Sequence, residues 1–126
     1  MSVRHRLVVC TSCRERGEER GARNGVAGTR LFSSLSNRLE SWCRRRSFEV
    51  VSHECLSACT RPCVIALRAP GKFTYVFGDM APLRSELVIV ETAALYAEAP
   101  TGYLDRDARP APMRGAILAR VPPFGE

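Results

Sequence analysis

Two hydrophobic periods alternate along the chain. The stretch Val3 to Val9 ends in the continuous apolar run Leu7-Val8-Val9, which reads as a buried strand leading into Cys10. The following RERGEERGARNGVAG, Arg14 to Gly28, has neither period and holds four glycines, so it predicts an exposed loop. Thr29 stands where a helix cap is expected. Leu31, Phe32, Leu35, Leu39, Trp42 and Cys43 then fall on one helical face, with Arg44, Arg45 and Arg46 complementing the carboxyl-terminal dipole. On that stripe Cys43 reads as a small buried apolar residue beside Trp42. Phe48 to Val51 is a second strand, running directly into a second group of cysteines. Cys63–Ala69 and Phe73–Phe77 form a hairpin across Pro70-Gly71-Lys72. Pro82 suits the first turn of a second helix, with Leu83, Leu87, Val90, Ala94 and Ala97 as its apolar stripe, ending before Pro100. Beyond Pro100, prolines and glycines break the pattern into an extended arm in which GAILARV reads as one added edge strand.

The order is β-α-β, then a β-hairpin, then a helix. A β-α-β unit makes its strands parallel with a right-handed crossover, and the hairpin extends the sheet antiparallel. The expected class is therefore α/β, a small mixed sheet in the thioredoxin-like arrangement, with residues 1–99 as the domain and 100–126 as an arm packing on it.

Length agrees with one core: 126 residues are about the size at which a single domain buries enough apolar surface. No window approaches the roughly 20 apolar residues of a membrane span, and the run at Leu7 is too short for a signal peptide, so a cytoplasmic protein without a membrane partner is expected. The net charge of +6 is unevenly placed. Through Cys63 there are twelve arginines and six acidic residues, and afterwards seven residues of each sign, with Lys72 the only lysine. This field suits an acidic partner surface, for which Arg44, Arg45 and Arg46 are the expected patch. Nucleic acid is not expected, since the basic residues are not interleaved with aromatics and carry no recognised binding signature.

The chemistry lies in the cysteines. Cys10 and Cys13 follow the first strand, Cys55, Cys59 and Cys63 the second, and Cys43 stands between. In a reducing compartment such groups are metal ligands or redox catalysts rather than disulfide frameworks. A C-x-x-C after a first strand suits a thiol–disulfide oxidoreductase using Cys10 and Cys13. However, the thiolate-stabilising helix start would lie a long glycine-rich loop away. Four thiolates also suit tetrahedral zinc, with His5 and His53 as substitute donors, or a [2Fe–2S] cluster, whose irons take two cysteines each.

The run Cys55-Leu56-Ser57-Ala58-Cys59, then Pro62 and Val64-Ile65-Ala66-Leu67, resembles the C-x-x-x-C segment of the thioredoxin-like [2Fe–2S] ferredoxins. The strand-then-cysteine opening, the intervening helix and the closing VPPF are similar as well. The chain also resembles an uncharacterised family of small predicted metal-binding bacterial proteins linked to cobalamin-synthesis loci, which share the C-x-x-C start. The resemblance implies a cluster-binding electron carrier rather than an enzyme, with Cys10, Cys13, Cys55 and Cys59 as ligands. Cys63 is then a spare thiol and substitute ligand, and zinc is the alternative metal. It further implies a cis Arg61–Pro62 bond and a redox partner with an acidic docking surface. Arg14, Arg16 and Arg61 are the charges expected near the centre. Monomer and homodimer both stay open.

Overall fold

The structure, a computed structural model, describes residues 5–11, 26–44, 46–54, 56, 61, 63–82 and 84–123. Cys13, Cys55, Cys59, Pro62, Arg14, Arg16, Arg45 and Leu83, all singled out above, lie outside the described residues. Strands β1 (His5–Cys10), β2 (Phe48–His53), β3 (Ile65–Arg68), β4 (Thr74–Phe77) and β5 (Ile117–Val121) form one sheet in the order β2-β1-β3-β4-β5. β1 and β2 are parallel, in register His5 to Phe48 through Cys10 to His53. Every other pairing is antiparallel. Helix α1 (Ala27–Glu40) connects the parallel pair, and α2 (Glu86–Glu98) follows the hairpin. A 3-10 turn (Arg106–Ala108) and the short helix α3 (Ala111–Arg114) lead into β5. This is a thioredoxin-like mixed α/β fold. No helix among the described residues is long and apolar enough to cross a membrane.

Alternation assigns the two sheet faces. His5, Leu7, Val9, Phe48, Ile65, Leu67, Tyr75 and Phe77 are buried on the helix side, against Leu31, Leu35 and Leu39 of α1 and Ile89, Ala93 and Tyr96 of α2. The opposite face carries Arg6, Val8, Val51, Ala66, Arg68, Thr74 and Val76. The hairpin turns as expected: Lys72 N–H donates to Ala69 C=O at 3.2 Å and Gly71 has φ +73°. That positive φ after Pro70 is the type II pattern, which favours glycine.

Lys72 closes the end of the fold remote from Cys10. Its ammonium donates to the carbonyls of Tyr96 and Ala97 at 3.1 Å each and to His5 Nε2 at 3.0 Å. Three acceptors thus meet three protons, and the cation sits at the negative end of α2. His5 Nε2 being an acceptor, its proton belongs on Nδ1, which faces Ser47 C=O at 3.0 Å. Nearby, the buried Tyr75 hydroxyl donates to Leu104 C=O at 3.3 Å and accepts the Leu104 N–H at 2.8 Å, holding the chain beyond residue 100 to the sheet.

Three local expectations need correction. Thr29 does not cap α1; Val26 occupies that position, and Thr29 Oγ1 instead donates to Thr11 C=O at 3.0 Å. The helix stops at Glu40, where the Ser41 hydroxyl bonds back to Arg38 C=O at 3.3 Å and competes with continuation. Cys43 therefore leaves the stripe and is exposed, while Trp42 packs on Phe48 with ring centroids 5.4 Å apart. In α2 the stripe has another phase: Glu86, Ile89, Thr92, Ala93 and Tyr96 are buried, whereas Leu87 is 68% exposed. ELVIVETAALYAE is apolar nearly all round, so its own period could not select a face. Contacts do so instead, including the 2.9 Å ion pair from Arg38 of α1 to the buried Glu86.

Arg109 is buried after the 3-10 turn, and its Nε and Nη1 lack hydrogen-bond partners. An unpaired buried cation is costly, and an apolar side chain of similar length avoids that cost. Arg109→Met should raise the stability in urea unfolding by about 1–3 kcal/mol; a lower midpoint would show that the guanidinium stabilises the fold. A second expectation concerns alkaline pH. Burial pushes the Tyr96 hydroxyl above its ordinary value, with Tyr75 adding to the effect and Arg68 opposing it. The folded state therefore keeps a proton that the unfolded chain loses near pH 10. The Tyr96 contribution is fully present below about pH 10 and is lost as pH rises further, so Tyr96→Phe should flatten the fall in stability measured above that pH.

Candidate metal centre

Cys10 is the last residue of β1 and is 2% exposed. Because β1 is an interior strand, Cys10 is held from both sides. Its N–H donates to Val64 C=O at 3.0 Å, and on the other side Thr11 N–H and Oγ1 donate to His53 C=O at 2.9 and 3.2 Å. The Cys10 thiol lies 3.9 Å from the carbonyl of Glu54, the residue before Cys55. Thr29 adds a tie from α1 to Thr11, so the first helical turn, the end of β1 and the end of β2 converge here.

The exit of the second cysteine segment is clamped as firmly. Asp79 N–H donates to Arg61 C=O at 2.9 Å, Cys63 N–H to Met80 C=O at 2.8 Å, and Met80 N–H to Cys63 C=O at 3.0 Å. The Arg61 guanidinium pairs with Asp79 and donates to Gly115 C=O at 2.8 Å. The Asp79 hydrogen bond holds that guanidinium above its ordinary pKa. Arg61, expected to act as a charge near the centre, is thus already neutralised by a carboxylate. Asp79 has φ +61°, the left-handed region, and Gly78 before it meets Arg61 so closely that a Cβ would lie 2.7 Å from the Arg61 oxygen. No local pattern announces this clamp, and the Arg61–Asp79 pair is the functional neighbour that sequence reading missed.

Of the four expected ligands, Cys10 is the one within the described residues. Among those residues no group of three or more His, Cys, Asp or Glu side chains converges. Cys63 is fully buried. It lies just before β3 and belongs to the same buried cluster as Cys10, which by alternation along β1 shares the face of Arg6 and Val8. His5 begins β1 at the other end, about 16 Å away at strand rise, and is engaged by Lys72 and Ser47. His53 pairs with Cys10 in register and is exposed. Helix α1 begins only at Ala27, well after Cys13, so its positive dipole end does not start at the C-x-x-C. Arg44 and Arg46 precede β2, at the end away from Cys10, and Arg44 is ion-paired with Glu98.

Residues 7–123 match the family described as Protein of unknown function (DUF1636). The chain belongs to that family. No curated protein matches the sequence. Among solved structures, the thioredoxin-like [2Fe-2S] ferredoxin from Aquifex aeolicus is similar with TM-score 0.62 and 15% identity over 99% of both chains. Another crystal structure of the wild-type ferredoxin gives 0.57 and 10%, over 94% of this chain and 99% of that one. A cysteine-to-serine variant of it gives 0.59 and 13%, over 91% and 98%. At this identity the likeness shows a shared thioredoxin-like fold.

Gly78→Ala tests the clamp. The added methyl group would lie 2.7 Å from the Arg61 carbonyl oxygen and 3.0 Å from Arg61 Cβ and Leu118 Cδ1, so the close approach of residue 78 to Arg61 must widen. Stability in urea should fall by about 1–3 kcal/mol, and the amide signals of Cys63 and Val64 should shift more than those of β2. An unchanged midpoint would mean that the segment relaxes freely.

Proposed function

We propose that this chain is a [2Fe–2S] ferredoxin-like electron carrier whose cluster is held by Cys10, Cys13, Cys55 and Cys59. The observation that supports the reading is the approach of the Cys10 thiol to the carbonyl of Glu54, the residue that precedes Cys55 in sequence. A donor set of four soft thiolates fits both irons. When bound, the cluster supplies the one-electron step. The chain's own residues set the surroundings: Cys10 is withdrawn from water, its amide is committed to Val64 C=O, and the ties through Thr11 and Thr29 fix its direction. Shielding of this kind influences both potential and solvent access. The complete burial of Cys63 supports a spare thiol.

The arginine excess of the amino-terminal half supports an acidic redox partner. Arg44 and Arg46 lie at the end of β2 remote from Cys10, so a partner that takes electrons directly from the centre would approach from the opposite end of the sheet. A second reading, a zinc-binding accessory or metal-handling module, is favoured by one feature. C-x-x-C is a spacing common in zinc sites, and four thiolates complete a tetrahedron.

Iron, sulfide and zinc analysis with a visible spectrum, on protein purified without oxygen, separates the readings. The expected result is two irons and two acid-labile sulfides per chain with visible absorption. Stoichiometric zinc in a colourless protein that reconstitution does not change would overturn the ferredoxin reading. Serine at Cys10, Cys13, Cys55 or Cys59 should abolish or strongly destabilise the centre, whereas Cys63→Ser and Cys43→Ser should retain it. Cys43 being exposed, its replacement should also leave stability within about 0.5 kcal/mol. Loss of the absorption bands in Cys63→Ser, with Cys13→Ser unaffected, would reassign the ligands.

A further inference from the structure

At the end of β1 remote from Cys10, one row of side chains crosses the sheet face opposite the helices. The registers set Glu49, Arg6 and Arg68 side by side on β2, β1 and β3, with Thr74 and Val121 paired beyond them on β4 and β5. Arg6 and Arg68 are directly opposite, a placement in which like charges repel. Glu49 reaches Arg6 at 3.3 Å from the far side, and among the described residues no carboxylate pairs with Arg68. The sheet thus sets two arginines at opposed positions and pairs one of them with a carboxylate.

Beside this pair a hollow of about 550 Å³ opens between the hairpin turn at Gly71 and the end of β5 at Val121 and Pro122. Its lining includes Arg6, Arg68 and Lys72 and, among the described residues, no acidic residue. Lys72 is committed to the carbonyls of α2 and to His5, so the cations left on the lining for a guest are Arg68 and Arg6, whose Nε pairs with Glu49. The volume is that of a small-molecule site, and guanidinium forks match the paired oxygens of phosphate and carboxylate. We propose that this hollow binds a small-molecule oxyanion of the phosphate or carboxylate class, bridged by Arg6 and Arg68, with Val121 and Pro122 against its apolar part. A bridging anion converts the repulsion across the ladder into two attractions. Arg6 lies four residues before Cys10, about 13 Å along the strand, so the site is separate from the metal centre and independent of its occupancy.

The test is calorimetric titration of the full chain with pyrophosphate and with citrate, in sodium chloride buffers of matched ionic strength. Saturable one-to-one binding of either is expected, pyrophosphate alone indicating phosphate ligands and citrate alone carboxylate ligands. Arg68→Met should weaken it about tenfold or more, and Arg68→Lys, which keeps the charge and loses the fork, should also weaken it. Arg46→Met, at an exposed arginine elsewhere, should not. In chloride alone Arg68→Met should melt no lower than the unaltered chain, showing that it folds and has lost a repulsion. Absence of saturable binding by both anions, or equal weakening by Arg46→Met, would overturn the proposal.

Discussion

Parallel pairing of β1 with β2 is the constraint from which the remaining arrangement follows. Parallel neighbours cannot be joined by a tight turn, so the connection must cross one face of the sheet, and α1 is the part of that crossover which buries Leu31, Leu35 and Leu39. The same pairing brings the carboxyl ends of both strands to one edge. Cys10 therefore stands opposite His53, and the ends of β1 and β2 become neighbours although a helix separates the two strands in sequence. Antiparallel pairing in the same span would have set Cys10 against Phe48. β3 takes the other edge of β1 in the reverse direction, so a third segment, at Val64, also arrives beside Cys10.

The two ends of the sheet are stabilised in different ways. Toward Cys10 the contacts are mostly backbone to backbone: the Arg61–Asp79 and Cys63–Met80 bonds make a short ladder outside the regular strands. Such contacts hold main-chain direction while leaving side chains available for chemistry. At the remote end side chains close the fold, through Lys72 on α2, the Tyr96 hydroxyl on Phe73 C=O and the Tyr75 hydroxyl on Leu104. Backbone bonds beside the thiol and side-chain locks away from it would suit the proposed redox centre, which should move little as its charge changes.

Much of the fold was legible in the sequence. Leu7-Val8-Val9, the Pro70-Gly71 turn, the Leu31, Leu35 and Leu39 stripe and the edge strand within GAILARV each carry a signal inside a few residues, and each forms as its signal predicts. The features that were not legible depend on distant partners. Ser41 ends α1 because the chain must turn toward Phe48, and α2 chooses its buried face from neighbours because its own sequence is apolar almost everywhere. At the candidate site, Cys10 could be read as a strand end and therefore as fixed. The pairing of Arg61 with Asp79 and Gly115 could not, since it joins three segments that share no local pattern.

The engagement of Lys72 has a chemical corollary. It is the chain's only lysine, and its nitrogen is held as a triple donor by two carbonyls and an imidazole. Acylation requires the neutral amine with its lone pair turned outward, a state reached only after the contacts with α2 and His5 break. Electrophiles that label lysines throughout most proteins thus meet here a single side-chain amine whose reactivity follows the opening of the fold. The modification rate of one residue then reports how often its contacts with α2 and His5 break.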